Sequence, residues 1–142
     1  MIYFDSSALV KRYLREVGSE SVNAILLSKQ TVATSKLAYP EILSAFMRKH
    51  RSGKLAQKPL RSVIDQFESD WKYFFIIEFH DDLFPAIKAL VEKYPLKGAD
   101  SLHLSSALWL KHTAREDVRF VSSDLNLLKA AESEDLHVIN PI

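Results

Sequence analysis

The sequence contains no cysteine and only three glycines in 142 residues. The lack of cysteine excludes disulfide bonds, thiolate nucleophiles and zinc sites built on sulfur, and it suits a reducing compartment such as the cytosol. None of the glycines belongs to a GxGxxG or GxxxxGK[ST] loop, and the HExxH and GxSxG patterns are absent as well. The sequence therefore gives no sign of the usual nucleotide-binding loops, zinc-protease helix or serine nucleophile.

Long hydrophobic runs are also missing. No apolar stretch is long enough to span a bilayer, and the N-terminus lacks the basic and long apolar segments of a signal peptide. We therefore expect a soluble, cytoplasmic protein with no membrane association. Hydrophobic residues make up 47% of the chain, and no internal repeat or long linker interrupts it, so residues 1–142 are expected to form a single domain.

The net charge is only +1, but the charges are unevenly distributed. Residues 42–64 include no aspartate or glutamate. The basic residues of this stretch are Arg48, Lys49, His50, Arg51, Lys54, Lys58 and Arg61. A solvated helix surface accounts for such a patch, and a phosphate-binding face is the alternative.

Short apolar runs alternate with segments of helical periodicity. The pattern predicts strands at 2–4, 31–34, 74–79, 118–121 and 137–140. Helices are predicted from Ala8 to Leu14, at 19–28, from a cap at Ser35 to about Gly53, and at 58–71, 82–93, 99–112 and 125–131. Strands separated by helices predict an α/β fold, a three-layer α/β/α sandwich around a parallel sheet of about four to five strands.

Two acidic residues follow predicted strands. Asp5 ends the first apolar run, and Asp124 comes after the run at 118–121, behind two serines. Parallel sheets bind ligands at the carboxyl ends of their strands, near the point where the strand order reverses. We therefore expect Asp5 and Asp124 at the same edge of the sheet.

Two further acids lie near predicted helix starts. Asp100 falls in the first turn of a nearly apolar helix, where free N–H groups and the helix dipole favour a carboxylate, so a simple helix cap would also account for it. Glu41 follows Pro40 at the start of a long helix beside apolar residues. It lies either in a cleft or, as its spacing alone favours, on the surface.

Together these four carboxylates suggest one acidic pocket. Two unneutralised carboxylates about 4 Å apart repel by about 4 kcal/mol at an effective dielectric constant of about 20. One of them would take up a proton, or a cation would enter the pocket. A site rich in oxygen ligands and without cysteine suits Mg²⁺ or Mn²⁺.

Other residues compete for these roles. Asp81 and Asp82 also follow a predicted strand, but an apolar helical pattern begins directly after them, so we interpret them as helix caps. His103 lies three residues after Asp100 on the same helix face. It is either a ligand or base or, as we expect, a core histidine bonded to a neighbour.

Four motifs in this order resemble the PIN-domain family, particularly its stand-alone VapC-type toxins. They are IYFDSSALVKRYL (2–14), YPEILSAFMRKHRSGKL (39–55), LKGADSLHLSSAL (96–108) and FVSSDLNLLKAA (120–131). The resemblance covers essentially the whole chain. Serine stands at Ser6 and Ser122, where the family often has threonine, so no hydroxyl is lost.

The resemblance implies that Asp5, Glu41, Asp100 and Asp124 form the metal-binding catalytic site, with Ser7 and Ser122 as supporting hydroxyls. It implies a central parallel sheet flanked by helices and a Mg²⁺- or Mn²⁺-dependent endoribonuclease, the toxin of a type II toxin–antitoxin system. It further implies a homodimer and a cognate antitoxin that covers the site. On this hypothesis the side chains that hold the RNA backbone are Arg48, Lys49, Arg51, Lys54 and Lys97. Lys97 would alternatively balance the charge of Asp100.

Other functions stay open. A metal-dependent phosphatase could use the same acids, although its aspartyl-nucleophile version normally has a second aspartate where this chain has Ser7. A PIN-fold nuclease outside any toxin–antitoxin pair, or a non-catalytic module that binds RNA or a protein partner, would also fit the fold.

Overall fold

The computed structural model describes all 142 residues and contains five short strands. They are β1 (Ile2–Phe4), β2 (Val32–Ser35), β3 (Phe75–Ile77), β4 (Arg119–Val121) and β5 (His137–Ile139). Every adjacent pair is parallel, and the strands lie in the order β3-β2-β1-β4-β5. The prediction of a parallel sheet is confirmed.

Seven α-helices connect and cover the strands. They are α1 (Ser6–Leu9), α2 (Ser19–Leu27), α3 (Ala38–Arg51), α4 (Gln57–Trp71), α5 (Phe84–Lys93), α6 (Gly98–Ala114) and α7 (Leu125–Ser133). None of these helices combines the length and the apolar character that crossing a membrane requires.

The central strand β1 contributes side chains to both faces of the sheet, because successive residues of a strand point in opposite directions. Ile2 and Phe4 are fully buried in one core, together with residues of α1 to α4. Tyr3 is fully buried in the second core, with residues of α6 and α7 and Leu90 of α5. The helices therefore form a layer on each face, as the sequence predicts.

The strand order places a switch point between β1 and β4. From β1 the chain continues to β2 and β3 on one side, and then crosses to β4 and β5 on the other. The carboxyl ends of β1 and β4 consequently border a crevice, the usual ligand site of open α/β sheets. The N–H of Asp5 donates to the carbonyl oxygen of Val121 at 3.1 Å, so the segments that leave these strands are in contact.

Two interpretations of helix starts are wrong. Ser35 is the last residue of β2 and not a helix cap, because its hydroxyl accepts the N–H of Leu37 at 3.1 Å and α3 begins only at Ala38. Asp81 and Asp82 occupy a 3₁₀ turn before α5, and no side chain caps either element. This turn follows the outermost strand, β3, two strands away from β1.

The helix expected from Ala8 to Leu14 is divided. The short α1 continues as a 3₁₀ turn at Val10–Arg12, a tightening that is common at helix ends. The turn directs Tyr13 towards α4, where its hydroxyl donates to Oδ2 of Asp70 at 2.9 Å. This hydrogen bond ties the segment that follows β1 to the long helix α4.

Tyr13→Phe should lower the free energy of unfolding by about 1 kcal/mol, the usual net value of such a hydrogen bond. For a domain of this size, that loss corresponds to a decrease in Tm of about 3 °C in a thermal melt. Tyr73→Phe is the matched control, because the Tyr73 side chain is 84% exposed. An unchanged Tm for Tyr13→Phe would show that the bond to Asp70 does not stabilise the fold.

Candidate active site

Asp5 is fixed at the carboxyl end of β1 by three hydrogen-bond donors. The Ser7 hydroxyl lies 2.8 and 2.9 Å from its two oxygens, the Ser122 hydroxyl donates to Oδ2 at 2.7 Å, and the N–H of Ala8 donates to Oδ1 at 3.0 Å. The bond from Ala8 makes Asp5 the N-cap of α1, a position that favours aspartate. The orientation of the carboxylate is therefore set by the strand-to-helix turn and by β4.

The Asp5 carboxyl group is almost completely removed from solvent, with 3% of the residue exposed. Burial raises its pKa above the ordinary value, although the proximity of His103 and the hydrogen bonds from Ser122, Ser7 and Ala8 act in the opposite direction. The chain therefore supplies hydrogen bonds to this carboxylate but does not fully compensate for its burial.

The serines after β4 connect Asp5 to Asp124. The Ser122 hydroxyl donates to Asp5 and accepts the N–H of Asp124 at 3.0 Å. The N–H of Ser123 donates to the Ser7 hydroxyl at 3.0 Å. Asp124 in turn caps α7 through its own carboxylate. One buried hydroxyl, that of Ser122, thus sets the position of both acids relative to each other.

Glu41 lies in the first turn of α3 and is bound from two sides. Its Oε1 accepts the Ser6 hydroxyl at 2.6 Å and lies 2.7 Å from Nε2 of His103. Partial burial raises the pKa of Glu41, but the hydrogen bonds from His103 and Ser6 outweigh this effect, and the net shift is downward. Glu41 is therefore an oriented carboxylate and not a free surface residue.

Asp100 lies in the first turn of α6, one turn before His103. The N-cap of this helix is Lys97, so Asp100 is not the cap. Burial raises the pKa of Asp100, and the negative charge of Asp124 raises it further. Asp124 is thus close enough to disfavour the ionised form of Asp100.

These acids do not form a closed metal cage, since no three His, Asp and Glu side chains are arranged to hold an ion as they stand. Their chemistry nevertheless fits Mg²⁺ or Mn²⁺, because magnesium is usually held by one or two carboxylates and keeps several waters. None of Asp5, Asp100 and Asp124 forms a salt bridge. A divalent cation would supply the positive charge that these carboxylates lack.

A groove of about 660 Å³ extends from Ser7 and Ser123 towards the end of α3. We call it the basic groove, and its polar lining includes Ser7, Ser123, Lys11, Arg48, Lys49 and Lys54. The N–H of Ser123 donates to the Ser7 hydroxyl, which in turn bonds to Asp5, so this end of the groove lies beside the site although none of the four acids lines it. It therefore provides a positively charged surface next to the carboxylates.

Two of the predicted basic contacts lie outside this groove. Arg51 is exposed at the last position of α3 and does not line the groove. Lys97 is also exposed, and its charge lowers the pKa of Asp100, although burial and Asp124 prevail. The structure thus favours the second role given for Lys97, in which it balances the charge of Asp100.

Several residues of the site carry no clear sequence signal. Lys11 is only 7% exposed, its stem runs beside Gly18, and its ammonium group pairs with Glu16 at the groove. Tyr3 looks like an ordinary core residue of a strand. Ser6 could have been found, since it directly follows Asp5, and His103 lies on the helix face of Asp100.

Comparison with known proteins finds a matching family model and similar ribonucleases. The family model of the PIN domain matches residues 2–133. Ribonuclease VapC45 of Mycobacterium tuberculosis (strain CDC 1551) is 32% identical over 112 residues, which are 76% of this chain and 75% of that protein. Ribonuclease VapC46 of Mycobacterium tuberculosis (strain H37Rv) is 26% identical over 140 residues, covering 99% and 97% of the two chains.

Solved structures match over the full length. The crystal structure of FitAcB from Neisseria gonorrhoeae gives a TM-score of 0.72 at 19% identity, with 99% of this chain and 98% of that chain covered. A toxin–antitoxin complex from Klebsiella pneumoniae gives 0.66 at 15% identity, with 100% and 98% covered. At these identities the likeness establishes the fold.

Proposed function

The chain belongs to the PIN domain family, and from this premise we propose that it is a Mg²⁺- or Mn²⁺-dependent endoribonuclease, the toxin of a type II toxin–antitoxin pair. The relatives named as VapC ribonucleases support the activity. The observation that carries the proposal is the connection of Asp5 to Asp124 through Ser122 at the switch point of the sheet. Carboxylates fixed before substrate arrives need no reorganisation during the reaction.

Asp5 and Asp100 would hold the principal ion, directly or through water, and Glu41 and Asp124 would complete the site and could hold a second ion together with substrate. When bound, the ion would offset the charge of the phosphodiester and acidify a water molecule. The other side chains of the site contribute by orienting these carboxylates. Ser7 and Ser122 hold Asp5, while Ser6 and His103 hold Glu41.

RNA would enter along the basic groove. Lys11, Arg48, Lys49 and Lys54 place positive charge beside the hydroxyls of Ser7 and Ser123, where the scissile phosphate would approach the acids. Contacts of this kind bind the sugar–phosphate backbone without reading sequence, and salt weakens them. Arg51 and Lys97, which flank the groove and the site, would add weaker contacts.

The proposal includes two protein partners, a cognate antitoxin and a second copy of this chain. The VapC names of the relatives and the similarity to a toxin–antitoxin complex support the antitoxin, and the family resemblance is the ground for the second copy. A small neighbouring gene for a DNA-binding protein should encode the antitoxin. Its product should copurify with the chain and suppress RNA cleavage, and light scattering should give twice the chain mass of 16.2 kDa for the chain alone.

The activity is tested with purified protein and total bacterial RNA. We expect cleavage with Mg²⁺ or Mn²⁺, no cleavage with excess EDTA, and recovery when the ion is restored. The products should lack 2′,3′-cyclic phosphate, because attack by water does not use the ribose 2′-hydroxyl. Cleavage that persists in EDTA, or cyclic products, would contradict the proposal.

The same preparation distinguishes the alternatives. Turnover of a chromogenic phosphate monoester without RNA cleavage would favour the phosphatase. Salt-sensitive RNA binding with no cleavage under any metal condition would favour the non-catalytic module. An active nuclease that no neighbouring gene product inhibits would favour a PIN-fold nuclease outside a toxin–antitoxin pair.

A further inference from the structure

His103 and Tyr3 support the acidic site from inside the core. His103 is 2% exposed and Tyr3 is fully buried. The Tyr3 hydroxyl lies 2.8 Å from Nδ1 of His103, and Nε2 of the same ring lies 2.7 Å from Oε1 of Glu41 and 3.2 Å from the Ser6 hydroxyl. Both ring nitrogens are therefore engaged, one towards the core and one towards the site.

The hydrogen-bond partners of His103 indicate which of its ring nitrogens carries the proton. A glutamate carboxylate accepts hydrogen bonds, so the distance of 2.7 Å between Nε2 and Oε1 of Glu41 places a ring proton on Nε2. The Tyr3 hydroxyl lies 2.8 Å from the other ring nitrogen, and as a phenol it donates its proton to Nδ1, the acceptor of this tautomer. Ser6 donates to Glu41 and accepts from Nε2, which satisfies every group.

The ring of Tyr3 is itself held in place. It stacks on Phe120 of β4 with ring centroids 5.5 Å apart, and β4 is the strand that leads to Ser122 and Asp124. The position of the Tyr3 hydroxyl is therefore set by the two strands at the switch point. Through His103 this position reaches Glu41.

We propose that His103 is a positioning residue for Glu41, held by Tyr3 as the Nε2–H tautomer so that the Glu41 carboxylate faces the other acids. The proposal rests on the proposed function for its effect on cleavage, but the tautomer and the hydrogen bonds belong to the chain alone. Helix α6 then contributes two residues to the site, Asp100 in its first turn and His103 one turn later.

Amide substitutions separate positioning from simple packing. Glutamine can present an N–H near the place of the histidine Nε2, whereas asparagine is shorter and places its amide near Nδ1. If His103 only fills the core, the shorter asparagine should lower Tm, but kcat measured well below Tm should be the same for the two variants. If it positions Glu41, His103→Gln should preserve activity and His103→Asn should not.

The test compares the parent, His103→Gln, His103→Asn and Tyr3→Phe, with kcat and KM on RNA and Tm for each. We expect His103→Gln to keep most of the activity and His103→Asn to lose about 10- to 100-fold in kcat, the usual effect of losing a hydrogen-bond partner behind a metal ligand. KM should change little, and kcat is measured well below the Tm of each variant, because the shorter asparagine leaves a larger gap in the core and should melt lower. Equal activity of the two would overturn the proposal.

A second measurement does not depend on activity. Long-range ¹H–¹⁵N NMR spectra of the parent should show His103 as the Nε2–H tautomer, and Tyr3→Phe, which removes only the phenolic hydroxyl, should shift the ring towards a mixture. An Nδ1–H tautomer in the parent, or no change in Tyr3→Phe, would overturn the assignment. If the parent does not cleave RNA, the proposed function fails, and these spectra still decide whether Tyr3 sets the ring.

Discussion

Asp5→Asn should reduce kcat/KM for RNA cleavage by about 10³-fold or more, which corresponds to about 4 kcal/mol of lost transition-state stabilisation. Asp5 is the best-fixed carboxylate of the site, with three donors and 3% exposure. An amide keeps the volume and can still accept the N–H of Ala8. It removes the negative charge that a divalent ion needs, so binding of the ion and the reaction should fail together.

The same substitution should not destabilise the protein. Burial raises the pKa of Asp5 in the folded state above its value in the unfolded chain, so the folded state binds this proton more tightly. The resulting stabilisation is present at low pH and disappears as the pH rises from about 4 through the folded-state pKa. At neutral pH the ionised carboxylate therefore opposes folding, and the Tm of Asp5→Asn should equal or exceed that of the parent.

A carboxylate outside the site provides the control. Asp65 is exposed on α4, and Asp65→Asn should leave both cleavage and Tm unchanged. Adding Mn²⁺ should raise the Tm of the parent and of Asp65→Asn, because a ligand that binds only the folded state stabilises it, but not the Tm of Asp5→Asn. Parent-level cleavage by Asp5→Asn would rule out the assignment of this carboxylate.

The placement of acids at the carboxyl edge of the sheet could be predicted, because it depends on short local stretches of sequence. The apolar runs at 2–4 and 118–121 mark two strands, and the helical segments between strands require parallel pairing. An acid that directly follows such a strand, like Asp5, must then lie at the carboxyl edge. Strand order decides that β1 and β4 are neighbours, and the switch point brings the segments after them into contact.

The inner part of the site could not be predicted because it depends on distant residues meeting across the core. Tyr3 and His103 are separated by 100 positions, and His103 and Glu41 by 62. A buried tyrosine in a strand shows no sign of where its hydroxyl will find a partner. The prediction that Ser35 caps a helix was wrong for a local reason. A serine hydroxyl that can cap a helix can equally accept a nearby N–H in a turn.

Reversing the charge of the basic groove should weaken RNA binding by roughly a hundredfold at low salt. The variant combines Arg48→Glu, Lys49→Glu and Lys54→Glu. These side chains line the groove and form no salt bridge within the chain, so the fold should not depend on them. Binding is measured in the Asp5→Asn background, in which the RNA should stay intact, with a fluorescent single-stranded RNA of mixed sequence.

Salt dependence separates local contacts from a general effect of net charge. Loss of three phosphate contacts should reduce the slope of log K against log salt by about 2, since each contact to a single strand contributes about 0.7. Lys29→Glu, Lys72→Glu and Lys129→Glu change the net charge equally at exposed positions outside the groove, so this control should keep the parental slope. Equal losses in both triple variants would mean that RNA responds to overall charge and that the groove is not its path to Asp5.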